Sequence, residues 1–103
     1  MAFVYLIAED KEGGRYKIGS TRKKDINGRL KELQTGNSDK LVLADFYECE
    51  KPFKLEGMLH RHYQNDNEIN EWFNLDSEKV KEFHNICQKY QNIIESLKGN
   101  PFF

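Results

Sequence analysis

Two short segments near the N-terminus alternate their side chains in the way that β-strands do. They are Phe3–Ile7 and Tyr16–Gly19, and the Gly13-Gly14 pair lies in the segment that joins them. That segment is too short for a helical crossover between parallel strands, so we predict an antiparallel hairpin. With Tyr5 placed near Lys17, alternation puts an apolar set on one face of the hairpin. This set is Val4, Leu6, Ala8, Tyr16 and Ile18.

A helix is predicted directly after the hairpin. Ile26, Leu30 and Leu33 recur at the spacing of one helix face. Asp25 is suited to cap the first turn, and Gly36 is suited to end the helix.

The second half of the chain predicts one more strand and two more helices. The strand covers Leu41–Tyr47, and Pro52 suits the first turn of the helix that follows it. The apolar stripe of that helix is Leu55, Met58, Leu59 and His62. Asn65–Asn70 is polar and is predicted as a loop leading into Glu71–Phe73, and the last helix is predicted over about residues 77–98. Its apolar seam is Val80, Phe83, Cys87, Tyr90, Ile94 and Leu97.

This order, β-β-α-β-α-α, predicts an α+β fold in which helices flank a small three-stranded antiparallel or mixed sheet. The length suits one hydrophobic core, so we predict a single domain over residues 1–103. No apolar run approaches the ~20 residues that cross a bilayer, and no signal peptide is evident, so we expect an intracellular protein with no membrane partner. Cys49 and Cys87 are then expected to be reduced thiols.

Charge is distributed unevenly along the chain. The formal net charge of −1 excludes a polycation that coats nucleic acid with its whole surface. Residues 1–31 nevertheless carry more basic than acidic side chains, whereas residues 64–85 are mostly acidic. The basic end permits contact with nucleic acid but is equally typical of a solvated surface without a partner.

Candidate chemistry lies on the second face of the predicted hairpin. Tyr5, Arg15 and Lys17 would present a phenol, a guanidinium and an amine there, which suit a phosphodiester better than an apolar core. Arg29 lies at the border of the first helix's apolar stripe, where an arginine that only packs its stem is the simpler interpretation. Glu56 precedes His60 by four residues, so a helix places both on one face, either as an intrahelical pair or as part of a site.

These residues in this order resemble the GIY-YIG nuclease superfamily, and most of all its compact stand-alone branch found in phages and large viruses. Eleven residues separate Phe3–Tyr5 from Lys17–Gly19, and Arg29 on a helix and Glu56 on a later helix follow. The resemblance covers about residues 3–75, the core of the domain that it implies. Further segments similar to that branch are Tyr16–Thr21, Gly28–Asn37, Leu55–Glu56, Leu59–His60 and Glu71–Phe73. Only the tyrosine of the first triplet keeps the superfamily's chemistry, and Lys17 stands where many members have tyrosine.

The resemblance implies an endonuclease that hydrolyses nucleic-acid phosphodiesters with one divalent metal ion, Mg²⁺ or Mn²⁺. Glu56 would hold the metal and Arg29 would bind the phosphate oxygens. Tyr5 and Lys17 would hold the attacking water; either is a candidate general base, with Tyr5 slightly preferred. The supporting residues would be His60, Thr21, Ser20 and Asn37. The contacts to nucleic acid would come from Arg15, Arg22, Lys23, Lys24 and Lys31.

Other functions stay open at this stage. DNA is favoured over RNA as the substrate, and the alternative to an enzyme is an inactive copy of the domain that binds nucleic acid or a protein partner. A small interaction module with a coincidental resemblance is a third alternative. Because one active site cuts one strand per binding event, the C-terminal helix would be suited to form a homodimer, or a separate protein would supply targeting.

Overall fold

The computed structural model describes residues 2–22 and 25–99. In that part of the chain, five strands form one antiparallel sheet in the order β3-β1-β2-β5-β4. The strands are β1 (Ala2–Glu9), β2 (Tyr16–Thr21), β3 (Leu41–Cys49), β4 (Asn67–Ile69) and β5 (Trp72–Phe73). The helices are α1 (Ile26–Thr35), α2 (Pro52–His62) and α3 (Ser77–Ser96), with a 3-10 turn at Gln64–Asp66.

The N-terminal hairpin is confirmed, with a different register. Tyr5 lies opposite Gly19, and Lys17 lies opposite Ile7. The shift from the expected register is two residues, and side chains alternate with a period of two, so the predicted division between the two faces survives. Val4, Leu6 and Ile18 accordingly share one face and are fully buried.

The prediction of three strands is wrong, because the polar segment predicted as a loop forms β4 and the segment after it forms β5. All three residues of β4 are exposed, so they carry no apolar alternation that would mark a strand. A tight turn with Asn70 at a φ of 51° joins the two strands, and the Asn67 side-chain amide donates to the carbonyls of Asn70 and Trp72. Local polar contacts therefore make this hairpin.

Helices cover both faces of the sheet. On the face of Val4 and Ile18, α2 and α3 contribute Leu55, Leu59 and Phe83 to the main core. On the other face, α1 packs Leu30 and Leu33 over Tyr5 and Ile7. The expectation that Tyr5 belongs to a polar surface is therefore wrong: only 1% of its area is exposed.

The helix boundaries follow the expected signals closely. Asp25 caps α1 by accepting from the backbone N–H of Asn27, and α1 ends at Gly36. In α2 the predicted stripe departs from the structure at one end, because His62 is exposed and Tyr63, just after the helix, is buried in its place. Helix α3 buries Phe83, Cys87 and Ile94. None of the helices in the described ranges has the length and apolar character to cross a bilayer.

Candidate active site

Strand β2 has a partner on its outer side over only part of its length. Strand β5 pairs with Tyr16 and Lys17, and the backbone N–H of Ile18 donates to the carbonyl of Glu71. Within residues 2–22 and 25–99, no strand pairs with Gly19–Thr21 on that side. We call this segment the open edge of β2. Side chains from opposite faces of the sheet meet around it.

Tyr5 reaches the open edge because residue 19 has no side chain. A Cβ atom placed on Gly19 would overlap the hydroxyl and ring of Tyr5. The phenol therefore lies across the glycine backbone with its hydroxyl directed towards the outer side of β2. This close approach is a physical reason for glycine at this position.

Arg29 contacts the hydroxyl of Tyr5 from α1. Its Nε donates to Tyr5 Oη at 3.4 Å, and its Nη1 donates to Glu32 Oε2 at 3.2 Å. Burial raises the pKa of Tyr5 above its ordinary value, and the opposing effect of Arg29 is smaller. The hydrogen bond to Tyr5 in turn raises the pKa of Arg29, so the guanidinium stays charged.

Two carboxyl groups and an amine form a chain beside this pair. Ser20 Oγ donates to Glu56 Oε1 at 2.5 Å, and Lys17 Nζ donates to Glu71 Oε2 at 2.6 Å. Burial raises the pKa of Glu56, and the charge of Glu71 adds to that effect. Burial also acts to raise the pKa of Glu71, but the hydrogen bond and charge of Lys17 outweigh it and lower that pKa overall. The two neighbouring carboxyl groups therefore differ, because the pKa of Glu56 is raised and the pKa of Glu71 is lowered.

His60 lies one turn after Glu56 and supports it. Its Nε2 is 2.8 Å from the carbonyl oxygen of Ile18 and 3.7 Å from Glu56 Oε2. A carbonyl oxygen only accepts hydrogen bonds, so Nε2 carries a proton in this arrangement. The imidazole is also fixed edge-on to Phe73, with ring centroids 5.0 Å apart.

This cluster is suited to hold a divalent cation. Glu56, His60 and Glu71 each offer one ligand atom, and these atoms lie within 4.8 Å of one another. Because His60 Nε2 is bonded to a carbonyl, the two carboxylates are the better ligands, and hard cations such as Mg²⁺ prefer oxygen. A cation bound there would also offset the repulsion between the two carboxylates.

The structure thus brings together the predicted residues Tyr5, Lys17, Arg29, Glu56 and His60. Glu71 is the residue that sequence reasoning missed as a site residue. It was recognised only as part of the segment Glu71–Phe73, and its role depends on the pairing of β5 with β2. A carboxylate directly before two large aromatic residues that anchor a strand was the available signal.

Other predicted residues lie apart from the cluster or have partners of their own. The Arg15 guanidinium donates two hydrogen bonds to Glu9, both at 3.0 Å, and lies 5.0 Å from the Trp72 ring centroid, so its charge is balanced within the protein. Thr21 is buried at the end of β2. The backbone of Asn37 forms the turn after α1 through two hydrogen bonds with Gln34.

The other basic residues predicted to contact nucleic acid also lie outside the cluster or outside the described residues. Arg22 is exposed, and its guanidinium carbon lies 5.4 Å from the ring centroid of Phe53 on the first turn of α2. Lys31 is exposed on α1. Lys23 and Lys24 lie outside the described residues.

Comparison with known protein families gives a match. The family model of the T5orf172 domain matches residues 2–88, which include every residue of the cluster. Domains of this family are associated with nuclease-type domains of the GIY-YIG and HNH-like kinds. No solved structure matches the chain significantly.

Proposed function

The chain belongs to the T5orf172 domain family, and from this premise we propose that it is a metal-dependent endonuclease that hydrolyses phosphodiester bonds in DNA. One observation carries the proposal. Four segments that are distant in sequence place Tyr5, Lys17, Arg29 and Glu56 around the open edge of β2, and the charges of Glu56 and Glu71 act on the Tyr5 hydroxyl. Charged groups at partly buried positions cost stability unless they are paired. Their grouping at one edge therefore favours a functional role over a structural one.

In this mechanism Glu56 and Glu71 would hold the metal ion through their carboxylate oxygens. The metal, when bound, polarises a phosphate oxygen and stabilises the departing 3′-oxygen. Ser20 fixes the orientation of the Glu56 carboxyl group by donating a hydrogen bond to Oε1, and His60 Nε2 lies 3.7 Å from Oε2. This support keeps the ligand in one position before the substrate arrives.

Arg29 binds the non-bridging oxygens of the scissile phosphate. Its planar fork fits two phosphate oxygens, and its position against Tyr5 keeps the guanidinium directed to the open edge. Because its pKa is raised, it stays cationic while charge builds on the phosphate.

The general base is assigned differently from the sequence-based preference for Tyr5. Burial raises the pKa of Tyr5, which disfavours the phenolate that a base would require. We therefore assign the role of general base to Lys17, which must first lose one ammonium proton to solvent before it can accept the proton of the attacking water. Tyr5 then orients that water through a hydrogen bond. Glu71, at 2.6 Å from Lys17 Nζ, positions the amine.

A nicking assay tests the proposal. Supercoiled plasmid is incubated with Mg²⁺ or Mn²⁺ and with the wild type, Glu56→Ala or Glu82→Ala, the last being a matched change of an exposed carboxylate on α3. We expect the wild type and Glu82→Ala to nick the plasmid, and Glu56→Ala and EDTA-treated wild type to fall to background. Equal nicking by all samples, with or without metal, would contradict the proposed metal-dependent endonuclease activity.

One observation favours a second candidate, a nucleic-acid-binding module without catalysis. Lys17 Nζ is ion-paired with Glu71 at 2.6 Å, an arrangement that suits an ammonium group better than the neutral amine that a general base requires. The same samples distinguish the two candidates when binding is measured by a gel-shift assay, with DNA and RNA of one sequence. Retarded nucleic acid without any nicking would favour the module.

A further inference from the structure

Phe53 is an exposed aromatic residue next to the proposed site. Its exposed fraction is 63%, the highest among the large apolar side chains of the described residues. It lies in the first turn of α2, three residues before Glu56, so both side chains project from the same side of the helix. Three residues correspond to about 4.5 Å along the helix axis, close to the rise of about 3.4 Å between neighbouring nucleotides of one strand.

Arg22 holds the Phe53 ring from one side. Its guanidinium carbon is 5.4 Å from the ring centroid, while most of the ring area stays exposed. Arg22 also lines a cavity of about 400 Å³ together with Ala2, Cys49 and Glu50. The carboxylate of Glu50 is paired with Lys98 at 3.4 Å, so the cavity is not dominated by an unbalanced negative charge.

We propose that Phe53 and Arg22 form a stacking platform for an unpaired base beside the scissile phosphate, so that DNA with a single-stranded segment is bound in preference to intact duplex. The inference rests on the proposed function, because Glu56 fixes where that phosphate lies. An aromatic ring accepts any base in a stack, and an arginine beside it binds the adjoining phosphate. A base inside a duplex is already stacked on both sides and cannot use the ring.

The chemistry of Phe53 and Arg22 indicates which ligand the platform binds. An apolar partner surface would favour an aromatic residue without a cation against its ring, whereas a nucleotide offers a flat base and a negative charge together. The position of the platform also favours a nucleotide, because the platform lies on the α2 surface that carries Glu56.

Binding to a short single-stranded DNA that contains 2-aminopurine tests the platform, with a duplex of the same sequence as the second probe. Both are measured in EDTA by anisotropy and 2-aminopurine quenching. For Phe53→Ala we expect a roughly five- to 150-fold loss of affinity for the single strand and loss of quenching. Affinity for the duplex should change by less than about twofold, since the duplex is held mainly through phosphate contacts.

Two further variants make the result specific. Phe53→Trp keeps a stacking surface and should bind the single strand as the wild type does. Ile93→Ala removes another exposed apolar side chain, on α3, and should also behave as the wild type. Thermal melts of each variant show whether the fold is intact, which is expected because Phe53 is mostly outside the core.

The outcomes separate this inference from the proposed function. Nicking by the wild type together with equal single-strand affinity of Phe53→Ala and Ile93→Ala would overturn the platform and leave the endonuclease standing. Quenching that depends on Phe53, without any nicking, would leave the platform and overturn the endonuclease. An equal loss for both probes, or a dimer that dissociates in Phe53→Ala by sedimentation, would also overturn the platform.

Discussion

The two faces of the sheet differ in how many apolar side chains they bury. The face under α2 and α3 is one continuous apolar cluster, with Phe83, Cys87 and Ile94 supplied by α3 alone. Among the described residues, the buried apolar members of the face under α1 are Tyr5, Ile7 and Leu41, and no residue of α1 is fully buried. The first face supplies most of the stability, and the thinner cover of the second leaves space for charged groups at the open edge of β2. This separation lets chemistry and stability be tested independently.

The largest effect on activity without an effect on stability is expected at Lys17. If it is the base, Lys17→Met should lower the rate of nicking about 10²–10⁴-fold, whereas Tyr5→Phe should lower it about tenfold through loss of one hydrogen bond. The measurement is kcat against pH for both variants. A nearly fully active Lys17→Met enzyme beside an inactive Tyr5→Phe enzyme would return the role of base to Tyr5.

The largest effect on stability is expected on the opposite face. Phe83→Ala removes a fully buried ring and should cost about 3–5 kcal/mol of unfolding free energy. Leu30→Ala, at a half-buried position of α1, should cost about 1–2 kcal/mol. Urea unfolding of both variants gives the two values. Similar losses of unfolding free energy in both variants would show that the two faces contribute equally to stability, and would contradict the larger role assigned to the face under α2 and α3.

Gly19→Ala connects the two faces, because its Cβ would overlap Tyr5. We expect a loss of about 1–3 kcal/mol from overpacking, together with reduced nicking as the hydroxyl moves from the open edge. Gly36→Ala is the matched control, since a Cβ there meets no atom within 4 Å and the φ of −93° suits alanine. An unchanged Gly19→Ala enzyme would mean that the position of the Tyr5 hydroxyl is unimportant.

The smallest effect concerns Glu9 at the end of β1. The hydrogen bond from Arg15 lowers its pKa in the folded state against the effect of burial. A lowered folded pKa means that the pair stabilises the protein above the unfolded value of about 4.3, and that this stability is lost as the pH falls through the folded value. Glu9→Gln should therefore flatten the decline of unfolding free energy at acid pH. Glu78→Gln, an exposed change, should leave the decline as it is in the wild type.

Elements with strong periodic patterns could be predicted from the sequence. The alternation in Phe3–Ile7 and Tyr16–Gly19 defined the hairpin and its faces, and helical spacing with Asp25 and Gly36 defined α1. These patterns reflect burial, which is a property of each segment by itself. Sequence order also indicated that Arg29 and Glu56 belong to one site, through the resemblance to a family.

Features that depend on tertiary contact could not be predicted. Strand β4 has no buried side chain, so only its pairing with β5 makes it a strand. Glu71 enters the site because β5 begins beside Lys17, and the position of Glu71 before Trp72 and Phe73 does not by itself indicate that pairing. Tyr5 was expected at a polar surface because a phenol tolerates both environments, and only the packing of α1 decides between them.

The raised pKa of Glu56 has a consequence for the proposed enzyme. A carboxyl group binds a cation only after it has lost its proton, so protons and the metal ion compete for Glu56. Under the proposed mechanism, a falling pH raises the metal concentration needed for half-maximal cleavage even while the fold is intact. Under that mechanism, an acidic environment would lower the rate of cleavage at a fixed metal concentration.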